Sequence, residues 1–148
     1  MKYASLIIVS LMLAACEQHD TRTETNARNE QAARGMFDAF NQHSWDKMAG
    51  YYVDTARFLD PSFGQQYVAK TRKETAAKYR QMQQMFPDIH DELKSVTASG
   101  DKVFVEFVSS GSAKGQKWTL PICTILTFKS GLIISDATYY DNSMSSAE

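Results

Sequence analysis

The chain has 148 residues, with 16 Lys and Arg against 17 Asp and Glu, and a formal net charge of −1. That length fits one domain with a real core and is too short for two. No basic patch stands out, so nucleic acid is excluded as an expected partner. Two cysteines are too few for a disulfide framework, and packing must supply the stability.

The first residues carry an export pattern. Lys2 is followed by the apolar run Leu6–Leu13 and then by two small residues, Ala14 and Ala15. The run is far short of the roughly 20 apolar residues a membrane-spanning helix needs. Leu13-Ala14-Ala15-Cys16 resembles the lipobox of bacterial lipoproteins. The resemblance implies a signal peptide over 1–15, removed before Cys16, whose thiol then carries lipid. Acyl chains, at about 0.8 kcal/mol per buried methylene, would hold the product on a membrane. Glu17 stands where an aspartate would retain such a protein at the inner membrane in some enterobacteria. The expected place is therefore the cell envelope, at the outer membrane and facing the periplasm. Residues 16–26 read as the lipidated cysteine and a flexible tether, because Glu17–Asn26 has no large apolar residue. The folded unit is expected over 27–141, and 142–148 is a polar tail. With Cys16 lipidated, Cys123 has no disulfide partner.

The first half of the folded unit reads as helical. Ala33, Met36, Phe37 and Phe40 repeat at helical spacing. Ser44 is placed to cap a short second helix with Trp45, Met48, Ala49 and Tyr52 on its buried side. A short strand is expected over Ala56–Asp60, and Pro61 forces Asp60 into an extended or turn conformation. Thr71 and Glu74 form a capping-box pair that opens a third helix. Its buried stripe is Thr75, Tyr79, Met82 and Phe86, and Pro87 ends it.

The second half reads as strands. Ile89–Ala98 runs into the turn Ser99-Gly100-Asp101, then Val103–Ser110, a loop over Gly111–Gly115, and the long strand Gln116–Phe128. Lys129-Ser130-Gly131 turns into Leu132–Tyr140. Short turns between neighbours predict an antiparallel meander, and helices followed by a meander predict an α+β fold. The long strand is apolar on both faces: Trp118, Leu120, Ile122, Leu126 and Phe128 on one, Pro121, Cys123 and Ile125 on the other. One face needs the helices; a homodimer through the outer sheet face would cover the second.

These elements carry a set of motifs: Phe40-Asn41 before Trp45-Asp46, Phe58-Leu59-Asp60-Pro61 with Gly64, Phe86-Pro87-Asp88, Gly100-Asp101-Lys102-Val103, Gly111 with Gly115, and Gly131-Leu132-Ile133 ending at Tyr140-Asp141. In this order they resemble the nuclear transport factor 2-like superfamily, and within it the SnoaL-like group of polyketide cyclases and their relatives. The resemblance implies a cone: three N-terminal helices packed on a curved antiparallel sheet, with a pocket inside. It does not imply one activity, because this fold hosts many.

The resemblance also supplies candidate chemistry. Asp60 matches the aspartate of an Asp-Pro segment that shuttles a proton in the ketosteroid isomerases of the superfamily. Partial desolvation at a pocket mouth would raise its pKa and make it a better base. Those isomerases also bind the enolate oxygen with a tyrosine and a protonated acid. Here the two positions align with Met36 and Cys123, one with no donor and one with a feeble one. Losing such a donor costs on the order of 3 kcal/mol. The acid of the polyketide cyclases falls at Thr138. Asp136, two residues earlier on the same strand face, is a second candidate acid that could share a proton with Asp60. The plain structural roles are a turn cap for Asp60 and a solvated strand position for Asp136.

Pocket-lining candidates are Met36, Phe40, Tyr52, Phe104, Cys123, Thr138 and Tyr140. His19, His43 and His90 lack metal-ligand spacing, and neither a metal nor a cofactor is expected. Gln81, Gln83 and Gln84 read as a solvated helix face. Because both family donor sets are incomplete, the expected function is a membrane-tethered module that holds a small apolar ligand or a partner. A proton-transfer enzyme of isomerase or cyclase type, using Asp60 as base, is the alternative. A structural role, with the outer sheet face as interaction surface, is the third.

Overall fold

A computed structural model describes residues 4–141, with side chains from Thr21 onward. The side chains of the expected signal peptide, the expected lipid site at Cys16 and the tail 142–148 lie outside these. Two helices come first, α1 (Ala4–Asn41) and α2 (Trp45–Ala49), and a third, α3 (Arg72–Met85), follows two strands. The strands are β1 (Tyr52–Leu59), β2 (Val68–Thr71), β3 (His90–Ser99), β4 (Lys102–Ala113), β5 (Gln116–Lys129) and β6 (Leu132–Tyr139). They form one six-stranded sheet in the order β2-β1-β6-β5-β4-β3. The β3–β6 meander is antiparallel throughout, as its turns predict, while β1 runs parallel to β6.

Helix α1 continues through residues 21–26, which the composition assigns to a flexible tether. The reason is tertiary. Asn26 Oδ1 accepts from Gly100 N (2.9 Å), Asn29 Nδ2 donates to Gly100 O (3.1 Å), and Glu30 Oε1 accepts from Ala98 N (2.8 Å). A polar helix face with no apolar residue thus grips the β3–β4 turn. His43, at φ 53, turns the chain out of α1. Ser44 stands at the start of α2 without a side-chain cap bond. Tyr52 is buried as expected but opens β1 rather than closing α2. The Thr71–Glu74 capping box is present at α3, with Glu74 N donating to Thr71 Oγ1 and Thr71 N to Glu74 Oε2. Such a cap is worth about 1 kcal/mol.

The register of β1 on β6, of β3 on β4 and of β5 on β6 is interrupted at Tyr52/Arg57, Leu93/Ser95 and Thr127/Phe128. Such interruptions bend a sheet and sharpen its twist. Helix α1 lies on β3 and β4, α2 on α1 and α3, and α3 on β1 and β2. The inner face of the sheet carries Val103, Val105, Phe107, Leu126 and Phe128, packed under Met36, Phe37 and Phe40 of α1. Full burial of a side chain such as Leu126 stabilises by roughly 1.5–3 kcal/mol. The outer face pairs Phe104 with Ile125, and Cys123 with Glu106 and Tyr139. Phe104 is 39% exposed and Tyr139 50% exposed there.

Candidate functional site

Between the helices and the bent sheet lies an open cavity of about 500 Å³. Met36, Phe37 and Phe40 of α1, Tyr79 and Met82 of α3, and Phe107, Trp118, Leu120 and Ile122 of the sheet form most of its wall. Polar groups interrupt this surface, among them Lys78 and three carboxyls, Asp60, Asp91 and Asp136. Among the described residues no group of three or more His, Cys, Asp or Glu could hold a metal ion.

Asp136 is only 7% exposed, not the solvated strand residue the sequence allows. The alternation of β6 turns it inward beside Thr138, and β5 brings Thr124 opposite Thr138. Tyr52 OH donates to Asp136 Oδ2 (2.7 Å), and Thr124 and Thr138 hydroxyls donate to Oδ1 (2.6 and 3.0 Å). Burial pushes the carboxyl above the usual carboxylate range, and the negative charge of Asp60 adds to that. The three hydrogen bonds oppose the rise without cancelling it. Burial and the Asp136 charge also hold the Tyr52 phenol well above its ordinary pKa, so it remains a donor.

Asp60 ends β1 in extended backbone, at φ −148 and ψ 130, as Pro61 dictates. Its Oδ1 accepts from Ser62 N (2.8 Å) and from Tyr140 OH (3.0 Å), and its Oδ2 is 2.9 Å from Lys78 Nζ. The turn-cap role is therefore real. The expected raised pKa is not. Burial does act upward, but the Lys78 ammonium and the Ser62 bonds outweigh it and hold the carboxyl below its ordinary range. Nor do Asp60 and Asp136 share a proton through a common hydrogen bond, since each satisfies its oxygens with separate donors.

Asp91, on β3, has no counterpart among the sequence candidates. It is 5% exposed, and its Oδ1 has no hydrogen-bond partner. Burial raises its pKa to about 7, opposed by Ser109 on the neighbouring strand. Strand alternation was the available signal: Asp91 shares a face with Ile89 and Leu93. Lys78 was also missed, although it lies between Thr75 and Met82 on the flank of the α3 stripe. Gln83 is not solvated; it accepts from Trp45 Nε1 (2.8 Å) and meets His43 Nδ1 (2.9 Å).

Of the expected lining residues, Met36, Phe40, Tyr52, Thr138 and Tyr140 reach the cavity. Phe104 and Cys123 do not. Val103 and Val105 point inward from β4, so Phe104 between them points out; Ile122 and Thr124 do the same to Cys123 on β5.

The SnoaL-like domain family matches residues 33–135, more than half of the chain. The chain belongs to this SnoaL-like family. Among solved structures, this SnoaL-like chain is similar to a protein of Catenulispora acidiphila with a ketosteroid isomerase-like fold, solved in complex with trimethylamine. The identity is 21% and the TM-score 0.67, over 76% of this chain and 86% of that one. It is similar to a candidate SnoaL-like polyketide cyclase from Jannaschia at 20% identity and TM-score 0.67, over 79% and 88%. An LEH-like epoxide hydrolase of M. tuberculosis matches at 16% identity and TM-score 0.67, over 78% and 84%. At these identities the likeness establishes the α+β fold and not an activity. No curated protein matches the chain.

Proposed function

We propose that this SnoaL-like domain binds one small, largely apolar molecule inside its cone. The observation that carries this is the cavity itself: about 500 Å³, open, walled largely by aromatic, Met and aliphatic side chains, with polar groups set among them. Ligand sites have this size and composition. The Catenulispora neighbour, solved with trimethylamine, is a precedent for a small organic occupant. Calorimetric titration with a neutral naphthalene should give saturable binding of one molecule per chain. Ile122→Trp, which fills the cavity, should abolish it. Absence of saturable binding by wild type removes the reading.

A second reading is proton-transfer catalysis of the isomerase or cyclase kind. It is favoured by Asp136, a buried carboxyl with a raised pKa beside the Tyr52 phenol. Asp60, the base expected from the motif, is a weak base while Lys78 pairs with it. Hydrogen–deuterium exchange at the α-carbon of enolisable ketones should then depend on Asp136 and be lost in Asp136→Asn. If wild type catalyses no exchange, this reading goes.

Both readings include the tether and the pair. A lipid on Cys16 would place the cavity at the bacterial envelope; Cys16→Ser should leave the signal uncut, and a mature membrane-bound variant contradicts that. The exposed Phe104 and Tyr139 favour a second copy against the outer sheet face. Phe104→Glu should then lower the sedimentation coefficient from that of a dimer to that of a monomer, and a wild-type monomer removes the proposal.

A further inference from the structure

Among the described residues, two buried side-chain polar atoms have no hydrogen-bond partner: Asp91 Oδ1 and Trp118 Nε1. Both residues line the same cavity. Elsewhere the fold supplies partners for these residue types. The other indole nitrogen, Trp45 Nε1, donates to Gln83, and every carboxylate oxygen of Asp60 and Asp136 accepts at least one bond.

The two residues flank one strand, Asp91 on β3 and Trp118 on β5, with β4 between them. Asp91 pairs with Ser109 on β4, and Trp118 pairs with Gly111, the next residue on that face of β4. Ser109 and Gly111 stand about 7 Å apart along β4, and it is the indole reaching back over β4 that brings Nε1 towards Asp91. The indole lies directly on Gly111, where a Cβ would come within 3.3 Å of Nε1. Phe86 holds the indole from its edge, with ring centroids 5.1 Å apart. Asp91 is pinned by its backbone: Asn41 Nδ2 donates to Asp91 O (2.9 Å), and Asp91 N donates to Asn41 Oδ1 (2.8 Å). The carboxyl is thus fixed in place while one of its oxygens is left unmatched.

We propose that Asp91 and Trp118 recognise the polar head of the ligand, and that this head is neutral and carries a hydrogen-bond donor beside an acceptor. A carboxamide is the smallest complete case. Its N–H donates to Asp91 Oδ1, and its carbonyl oxygen accepts from Trp118 Nε1. The apolar remainder fills the aromatic and Met-lined part of the cone. An amine has donors only and leaves Trp118 unmatched. A carboxylate has acceptors only and leaves Asp91 Oδ1 unmatched. A hydrocarbon leaves both atoms unmatched, and unmade bonds at buried groups are what discriminate ligands most strongly. The inference rests on the binding reading above and names the class of its ligand.

Calorimetric titration of the full chain with 2-naphthylacetamide, 2-ethylnaphthalene and 2-(2-naphthyl)ethylamine tests it. In wild type the amide should be favoured over the hydrocarbon by at least about tenfold more than in Asp91→Leu or Trp118→Phe, a difference near 1.4 kcal/mol. Asp91→Asn, which keeps an acceptor, should retain most of that preference. The hydrocarbon should bind all four proteins about equally, which shows each variant folded with its cavity intact. An unchanged amide-to-hydrocarbon ratio leaves the two atoms as a seat for water and overturns the proposal. Tightest binding of the amine, lost in Asp91→Leu but not in Trp118→Phe, overturns it in favour of a cation site. If no probe binds wild type, the cavity reading itself has failed.

Discussion

The Tyr52 hydroxyl donates to Asp136 Oδ2 over 2.7 Å, at a point where neither residue is more than a few per cent exposed. The bond joins the first residue of β1 to β6 and closes the buried wall of the cavity. Tyr52→Phe removes the donor and keeps the ring, so the ring contact with Phe58 survives. What remains is a buried carboxyl short of one bond, at a cost of roughly 1–3 kcal/mol. Urea denaturation should show a lower midpoint with an unchanged slope. A variant as stable as wild type would mean the carboxyl is neutral and indifferent to this donor.

Asp91 makes stability depend on pH in an uncommon direction. Its folded pKa is about 7, against an unfolded value near 3.9. The folded state therefore holds a proton that the unfolded chain gives up first. The resulting stabilisation is complete below the unfolded value and is lost as pH rises through about 7. Asp136 acts in the same direction, whereas the lowered pKa of Asp60 favours folding above the unfolded value and loses that as pH falls. Thermal melts from pH 4 to 8 should show a decline in wild type that is clearly shallower in Asp91→Asn. Identical profiles would show that Asp91 ionises as freely in the folded chain as in the unfolded one.

Lys78 decides what kind of carboxyl Asp60 is. Its ammonium also sits 4.2 Å from the Phe63 ring centroid, which keeps it over the turn after β1. Lys78→Met retains the apolar stem and deletes the charge. The Asp60 pKa should then move upward, because burial is left with less opposition. The stability change should stay within about 1 kcal/mol, since the pair is partly exposed. Carboxyl carbon shifts followed by NMR titration would report the pKa directly. An unmoved pKa would mean that the Ser62 bonds, not Lys78, hold Asp60 down.

The helical spacing of Ala33 to Phe40, the Thr71–Glu74 box and the turns at Gly100 and Gly131 made the helices and the meander legible in the sequence. Each is a local signal that the tertiary structure reinforces. Strand β2 was not legible: Val68–Thr71 is short and half polar, and it exists because β1 offers an edge. The tether at 21–26 misled for the converse reason, since Asn26 at its end finds its partner, Gly100 N, only in a turn 74 residues away. In the site, alternation along β5 already separated Ile122 from Cys123, and the family alignment that put Cys123 in the pocket conflicted with it. Asp60 was identified by its motif, but its low pKa depends on Lys78, eighteen residues away on another element. Asp91 was not a candidate and Asp136 was a secondary one because carboxyls are usually solvated, and only the assembled cone buries them.

Gly111 sets the position of the Trp118 indole. A Cβ at residue 111 would lie 2.8 Å from Trp118 Cζ2, closer than such atoms approach, and the indole would have to move. The backbone of Gly111 itself is ordinary strand, so the cost is steric rather than conformational. Overpacking of this kind costs about 1–3 kcal/mol. Gly111→Ala should therefore lower the melting temperature and shift the Trp118 emission, because the ring is pushed off β4 against Phe86. The combined variant Gly111→Ala with Trp118→Phe, whose smaller ring leaves room, should recover part of the loss relative to Trp118→Phe alone. Full additivity of the two changes would show that the methyl group and the indole do not meet.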